Sequence, residues 1–131
     1  MRKLLPIIIF LLILAAASAA QNVKRIEFAK GAVSAVVKGF LRDYESRQTF
    51  LIRVREGQTL RVEQIKPDES LKYVTVAVKS LSGEYVGDSD ASCNNRKEIS
   101  PTVAGDYLIE VVECRKADPW RGKFKLKVSV E

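Results

Sequence analysis

The sequence predicts an all-β protein: a small antiparallel β-sandwich of the jelly-roll or Greek-key type, with seven or eight strands, preceded by a signal peptide. Three observations carry that expectation. Apolar residues recur at every second position in several short runs, as they do in strands with one buried face. Glycine, proline and aspartate separate those runs at short intervals. Beyond the N-terminal segment, no long stretch shows the 3.6-residue period of an amphipathic helix.

The first twenty residues have the layout of an export signal. Met1-Arg2-Lys3 supplies positive charge, Leu4 to Leu14 is apolar apart from Pro6, and Ala15 to Ala20 offers small residues at cleavage spacing, as Ala17-x-Ala19 or Ser18-x-Ala20. The apolar run is shorter than the roughly 20 residues of a spanning helix, and no basic stop-transfer cluster follows it. Residues 1–20 are therefore expected to be removed, leaving 21–131 as one domain in the periplasm or secreted medium. No cysteine stands directly after the cleavage region to take a lipid, so the mature chain is expected to carry no stable membrane anchor.

Along that domain, Ile26 and Phe28 mark a short opening strand, closed by Lys30-Gly31. Val33, Ala35 and Val37 form a second alternating face, and Phe50, Ile52 and Val54 a third. Glu56-Gly57-Gln58 reads as a hairpin turn into Leu60 and Val62. Pro67-Asp68 breaks the chain before Val74, Val76 and Val78. Ala104-Gly105-Asp106 introduces Tyr107, Ile109 and Val111, where Leu108 and Val112 make the second face partly apolar too. The last strand alternates most cleanly, with Phe124, Leu126, Val128 and Val130 between Lys123, Lys125, Lys127 and Ser129.

Cys93 and Cys114 are the two cysteines, and an even pair in an exported chain reads as a disulfide. It would join two segments without strand patterning. Leu81 to Asn95 contains Tyr85 and Cys93, and Arg115 to Arg121 contains Pro119 and the single tryptophan, Trp120. Both are thereby expected at one end of the sandwich, where loops on a rigid frame commonly bind partners. Trp120 reads either as a cap over the core or as an exposed anchor, because Trp, Tyr and Arg dominate binding hot spots. Arg115 and Arg121 flank the same loop, and a guanidinium can fork onto a carboxylate. Tyr44 lies in a further loop between Leu41 and Gln48.

The composition argues against catalysis. Histidine is absent, which removes Ser-His-Asp and Cys-His systems and most transition-metal sites. No phosphate-cradling glycine motif occurs, and no cofactor is implied. Glu84, Asp88, Asp90 and Asp118 are the remaining carboxylate candidates; Asp88-Ser89-Asp90 lacks the glycine and closing glutamate of a calcium loop, so no metal site is expected. Formal charge is +6, falling to about +4 with the loss of Arg2 and Lys3. The cations alternate with apolar residues along strands, as on a solvated sheet face, and do not gather into the aromatic-interleaved stripe of a nucleic-acid binder.

Several elements stand in a familiar order. Arg25-Ile-Glu-Phe-Ala-Lys-Gly31 is followed by a strand ending in Val37-Lys-Gly39, then by the Tyr44 loop, Thr49-Phe50 and Glu56-Gly-Gln58. Ala104-Gly-Asp-Tyr107 leads into Ile109-Glu-Val111, and a lysine-rich alternating strand closes the domain. This order resembles the periplasmic inhibitors of g-type lysozyme and, more loosely, the pre-peptidase C-terminal β-sandwich domains. The first resemblance implies an inhibitor whose loops enter the glycan cleft of a lysozyme-like hydrolase. Arg115 would there meet the acidic catalytic residue, beside Tyr44. Pro119 stands where the inhibitors carry a second arginine, so Arg121 or Trp120 would take that place. The second resemblance implies a non-catalytic module for a glycan or protein partner.

Overall fold

The computed structural model describes residues 23–66, 72–87, 93–116 and 118–131. The expected signal peptide lies outside the described residues, as do Asp88 and Asp90. Eight strands form: β1 (Val23–Arg25), β2 (Ser34–Leu41), β3 (Gln48–Val54), β4 (Leu60–Gln64), β5 (Val74–Ser80), β6 (Arg96–Ile99), β7 (Gly105–Glu113) and β8 (Gly122–Val130). They make two four-stranded sheets, in the orders β1-β3-β7-β5 and β2-β8-β4-β6. All pairings are antiparallel except β1 with β3.

The core lies between the sheets and is built by the alternation seen in the sequence. Phe50, Ile52 and Val54 meet Tyr107, Ile109 and Val111 and Val74, Val76 and Val78 in one sheet; Leu60 and Val62 and the alternate residues Phe124 to Val130 face them from the other. A one-residue slip of β8 would send Phe124, Leu126 and Val128 to solvent, at about 1.5–3 kcal/mol for each large side chain, so the register is fixed. The buried hydrophobic set runs from Ile26 to Val130.

Consecutive strands always lie in opposite sheets. This overturns the hairpin expected at Glu56-Gly57-Gln58, which instead is a corner between sheets. Gly57 takes φ +80° there, and the corner is held by Gln58 N–H to Thr102 Oγ1 (3.0 Å) and Thr102 Oγ1 to the Arg55 carbonyl (2.6 Å). The opening strand also shifts: Val23–Arg25 pair with β3, and the ladder ends at Ile26 N–H to Leu51 O. Strand β6 was hidden because its inward positions are Lys97 and Ile99, leaving one apolar residue to mark it.

Candidate functional site

One end of the sandwich collects the segments that leave β2, β4 and β7 and enter β3, β5 and β8. Leu41 pairs with Gly122, Gln48 with Val111 and Val74 with Glu113, so segment 42–47, residues 72–73 leading into β5, and the described residues of 114–121 lie side by side. Loop 42–47 is shaped by local bonds typical of Asx turns. Glu45 N–H donates to Asp43 Oδ1 (2.9 Å), and Arg42 N–H to Ser46 Oγ (3.0 Å). Tyr44 sits half-buried within it. Gln64 pins the neighbouring segment: its Nε2 donates to the Lys72 carbonyl (2.9 Å) and its Oε1 accepts the Val74 N–H (3.0 Å).

Loop 114–121 is fixed at both of its sides. Cys114 is joined to Cys93, and Cys93 N–H donates to Thr75 Oγ1 at 2.7 Å. The Cys93–Asn95 segment bonds both sheets, through Asn94 O to Val76 N–H and Asn95 O to Gln64 N–H. At the far side of the loop, Trp120 packs against the core, as its capping role required. Its indole Nε1 donates to the Tyr73 carbonyl (3.3 Å), which also accepts the Cys114 N–H (3.0 Å). Its backbone N–H donates to Oε1 of Glu113, a side chain with no exposed surface. Glu113 Oε2 is buried with no hydrogen-bond partner among the described residues.

Between these two fixed points the loop holds Arg115, Lys116 and Asp118 in solvent. Arg121 leaves it onto the outer face of β2 and β8, with its guanidinium 5.5 Å from the centroid of the Phe40 ring, a cation–π contact. Tyr44, Arg115, Trp120 and Arg121 thus share one end of the sandwich. Tyr85 does not join them. Leu81 turns off at the opposite end, and the chain returns along β5: Val86 N–H donates to Val78 O, and Tyr85 bridges to Lys79, whose Nζ lies 4.7 Å from the ring centroid. Lys79 pairs with Leu108, five residues along β7 from Glu113, or roughly 17 Å of strand. Of the long segment, its Cys93 end reaches the loop cluster.

Sequence reasoning missed Glu113, the buried acid on which the loop hangs. It continues the inward phase of Tyr107, Ile109 and Val111 and precedes Cys114, so an acid at an inward position was the available clue. It also missed Phe40, which carries Arg121, and the Tyr73 carbonyl, which no side-chain pattern could mark. Among the described residues, no group of three or more His, Cys, Asp or Glu side chains gathers as a metal site would require.

The chain matches no family model and no curated protein sequence. Solved structures do match. The periplasmic inhibitor of g-type lysozyme from Aeromonas hydrophila is 22% identical with TM-score 0.66, over 83% of this chain and 96% of that one. The corresponding inhibitor from Salmonella Typhimurium is 18% identical with TM-score 0.56, over 83% and 97%. The pre-peptidase C-terminal domain of a Bacillus anthracis collagenase is 17% identical with TM-score 0.50, over 85% and 96%. The chain therefore shares its fold with periplasmic inhibitors of g-type lysozyme and with a pre-peptidase C-terminal domain.

Proposed function

We propose that residues 1–20 export this chain and that the domain they release is a non-catalytic inhibitor of a lysozyme, of the g type. The observation that supports this most is the loop end itself: Arg115 projects from a loop fixed at one side by Cys93–Cys114 and at the other by Glu113 and Trp120. A solvated arginine on a rigid support suits a cleft lined by carboxylates, because the loop backbone needs little further ordering when the side chain docks. Lysozymes cleave glycan with an acid–carboxylate pair. A guanidinium beside the catalytic carboxylate, bonded through two N–H groups, holds it ionised and occupies the sugar's place. Tyr44 from the adjacent loop supplies apolar contact with a polar tip, and Arg121 or Trp120 completes the contact surface. Loop insertion of this kind requires no chemistry from the inhibitor.

Calorimetric titration of residues 21–131 into g-type, c-type and i-type lysozymes tests the target. Binding to the g-type enzyme alone supports the reading; binding to none contradicts it. The likeness to a pre-peptidase C-terminal domain favours a second reading, a module that binds glycan or protein. In that case isolated peptidoglycan or a co-exported protein captures the domain and no lysozyme does.

A further inference from the structure

Charge is distributed unevenly between strand pairs. Elsewhere the registers set opposite charges face to face: Arg53 opposite Asp106, Arg61 opposite Glu98, and Glu63 between Arg96 and Lys127. Two of these close as ion pairs, Arg61–Glu98 at 2.8 Å and Arg96–Glu63 at 3.9 Å. The β2–β8 pair breaks the rule. There Lys38 lies directly opposite Lys125 and Phe40 opposite Lys123. Like charges in opposed positions destabilise a sheet, and a sequence that kept only solubility in view could have avoided them at no cost. Among the described residues, Lys38, Lys123 and Lys125 form no ion pair.

Apolar side chains stand on the same face among these cations. Val36 is 55% exposed, Phe40 40% and Ile65 37%, and Ile65 N–H bonds to the Lys125 carbonyl, which puts it beside that lysine. Arg121 completes the patch by stacking on Phe40. Ammonium groups interleaved with exposed aliphatic and aromatic side chains match the headgroup zone of an anionic bilayer, with phosphates for the cations and the glycerol level for the apolar groups. A soluble polyanion would use the lysines and leave Val36 and Ile65 unemployed.

We propose that the outer face of β2 and β8, centred on Lys38, Phe40, Lys123 and Lys125 and adjoining the loop end at Arg121, docks reversibly on an anionic phospholipid surface. Sedimentation of residues 21–131 with phosphatidylcholine vesicles containing phosphatidylglycerol, and with phosphatidylcholine alone, tests it. Binding to the anionic vesicles only is expected, weakening as salt rises. Lys125→Glu should lower that binding about twentyfold, since it removes one cation and adds one anion near the surface. The same change places a carboxylate opposite Lys38, so the variant should melt no lower than the parent, which separates lost docking from lost folding. Lys38→Glu repeats the test from the other strand. Lys24→Glu, exposed on β1 of the other sheet, should leave binding unchanged. No binding to anionic vesicles, equal loss with Lys24→Glu, or tighter binding to a DNA duplex than to the vesicles would overturn the proposal.

Discussion

The Glu113 carboxyl, wholly buried at the end of β7, accepts the backbone N–H of Trp120 across the span of loop 114–121. This one bond sets where the loop closes, and it puts the tryptophan over the core with Arg115 outside it. Removing the acceptor leaves the part-buried Trp120 N–H without its partner and a void where the buried Glu113 side chain stood. Glu113→Ala should therefore cost about 2–4 kcal/mol in urea unfolding followed by Trp120 fluorescence. Glu113→Gln, which keeps an acceptor oxygen of the same reach, should lose about 1 kcal/mol or less.

Reduction of Cys93–Cys114 acts at the other side of the same loop. The bridge spans a sequence separation of 21 residues, a closure that stabilises by about 3 kcal/mol. For a domain of this length the thermal midpoint should fall by roughly 10–15 °C with reductant. Hydrogen exchange should also rise first at Val76 and Gln64, whose N–H groups are held by Asn94 and Asn95. A midpoint unmoved by reductant would contradict this.

At the opposite end, Arg25 reaches across β3 to Asp106 with two hydrogen bonds of 2.9 and 3.0 Å. That bond and the guanidinium charge hold the Asp106 carboxyl below its ordinary value. A depressed folded value means the pair's contribution is complete above the unfolded carboxylate range, about 3.9, and is lost as pH falls through the folded value. β1 should therefore hold at the ordinary carboxylate value and fray as pH falls below it, through the depressed Asp106 value, while the core strands stay protected. Asp106→Asn should bring the same fraying to neutral pH; amide exchange at Ile26, bonded to Leu51, reads it.

Gly39 lies opposite Phe124, and a Cβ there would overlap the Phe124 ring. The ring is itself fixed edge-on to Phe50, with centroids 6.4 Å apart. Gly39→Ala should accordingly cost about 1–3 kcal/mol by overpacking, despite the usual gain from replacing a strand glycine. Pairing it with Phe124→Leu should recover part of the loss, a coupling that a double-mutant cycle measures.

The strands that carry the core were legible because their inward positions are mostly apolar, as in β3, β5, β8 and, up to Glu113, β7. β6 was not, since Lys97 occupies an inward position and erases the period. The Glu56–Gln58 turn was legible as a turn but not as a corner. The same residues close a hairpin or change sheets, and the choice is made by distant pairings such as Gln58 with Thr102. For the loop end, Tyr44, Arg115, Trp120 and Arg121 were singled out by residue type, by the position of Cys114 and by the family resemblance, and they lie at one end of the sandwich. Tyr85 was grouped with them because the disulfide fixes the end of its segment, whereas the path back along β5 depends on edge pairing that sequence does not encode locally.

The central claim is that Arg115 on its braced loop blocks a lysozyme cleft. It is tested most directly by g-type lysozyme cell-wall lysis in the presence of residues 21–131 and of the Arg115→Ala variant. Arg115 is exposed, so the substitution leaves the fold intact, and equal thermal midpoints establish this. Inhibition by the parent that weakens by about two orders of magnitude in the variant, as for a buried charged hydrogen-bonding partner, is the predicted result. Equal inhibition by both proteins, or none by either, would contradict it.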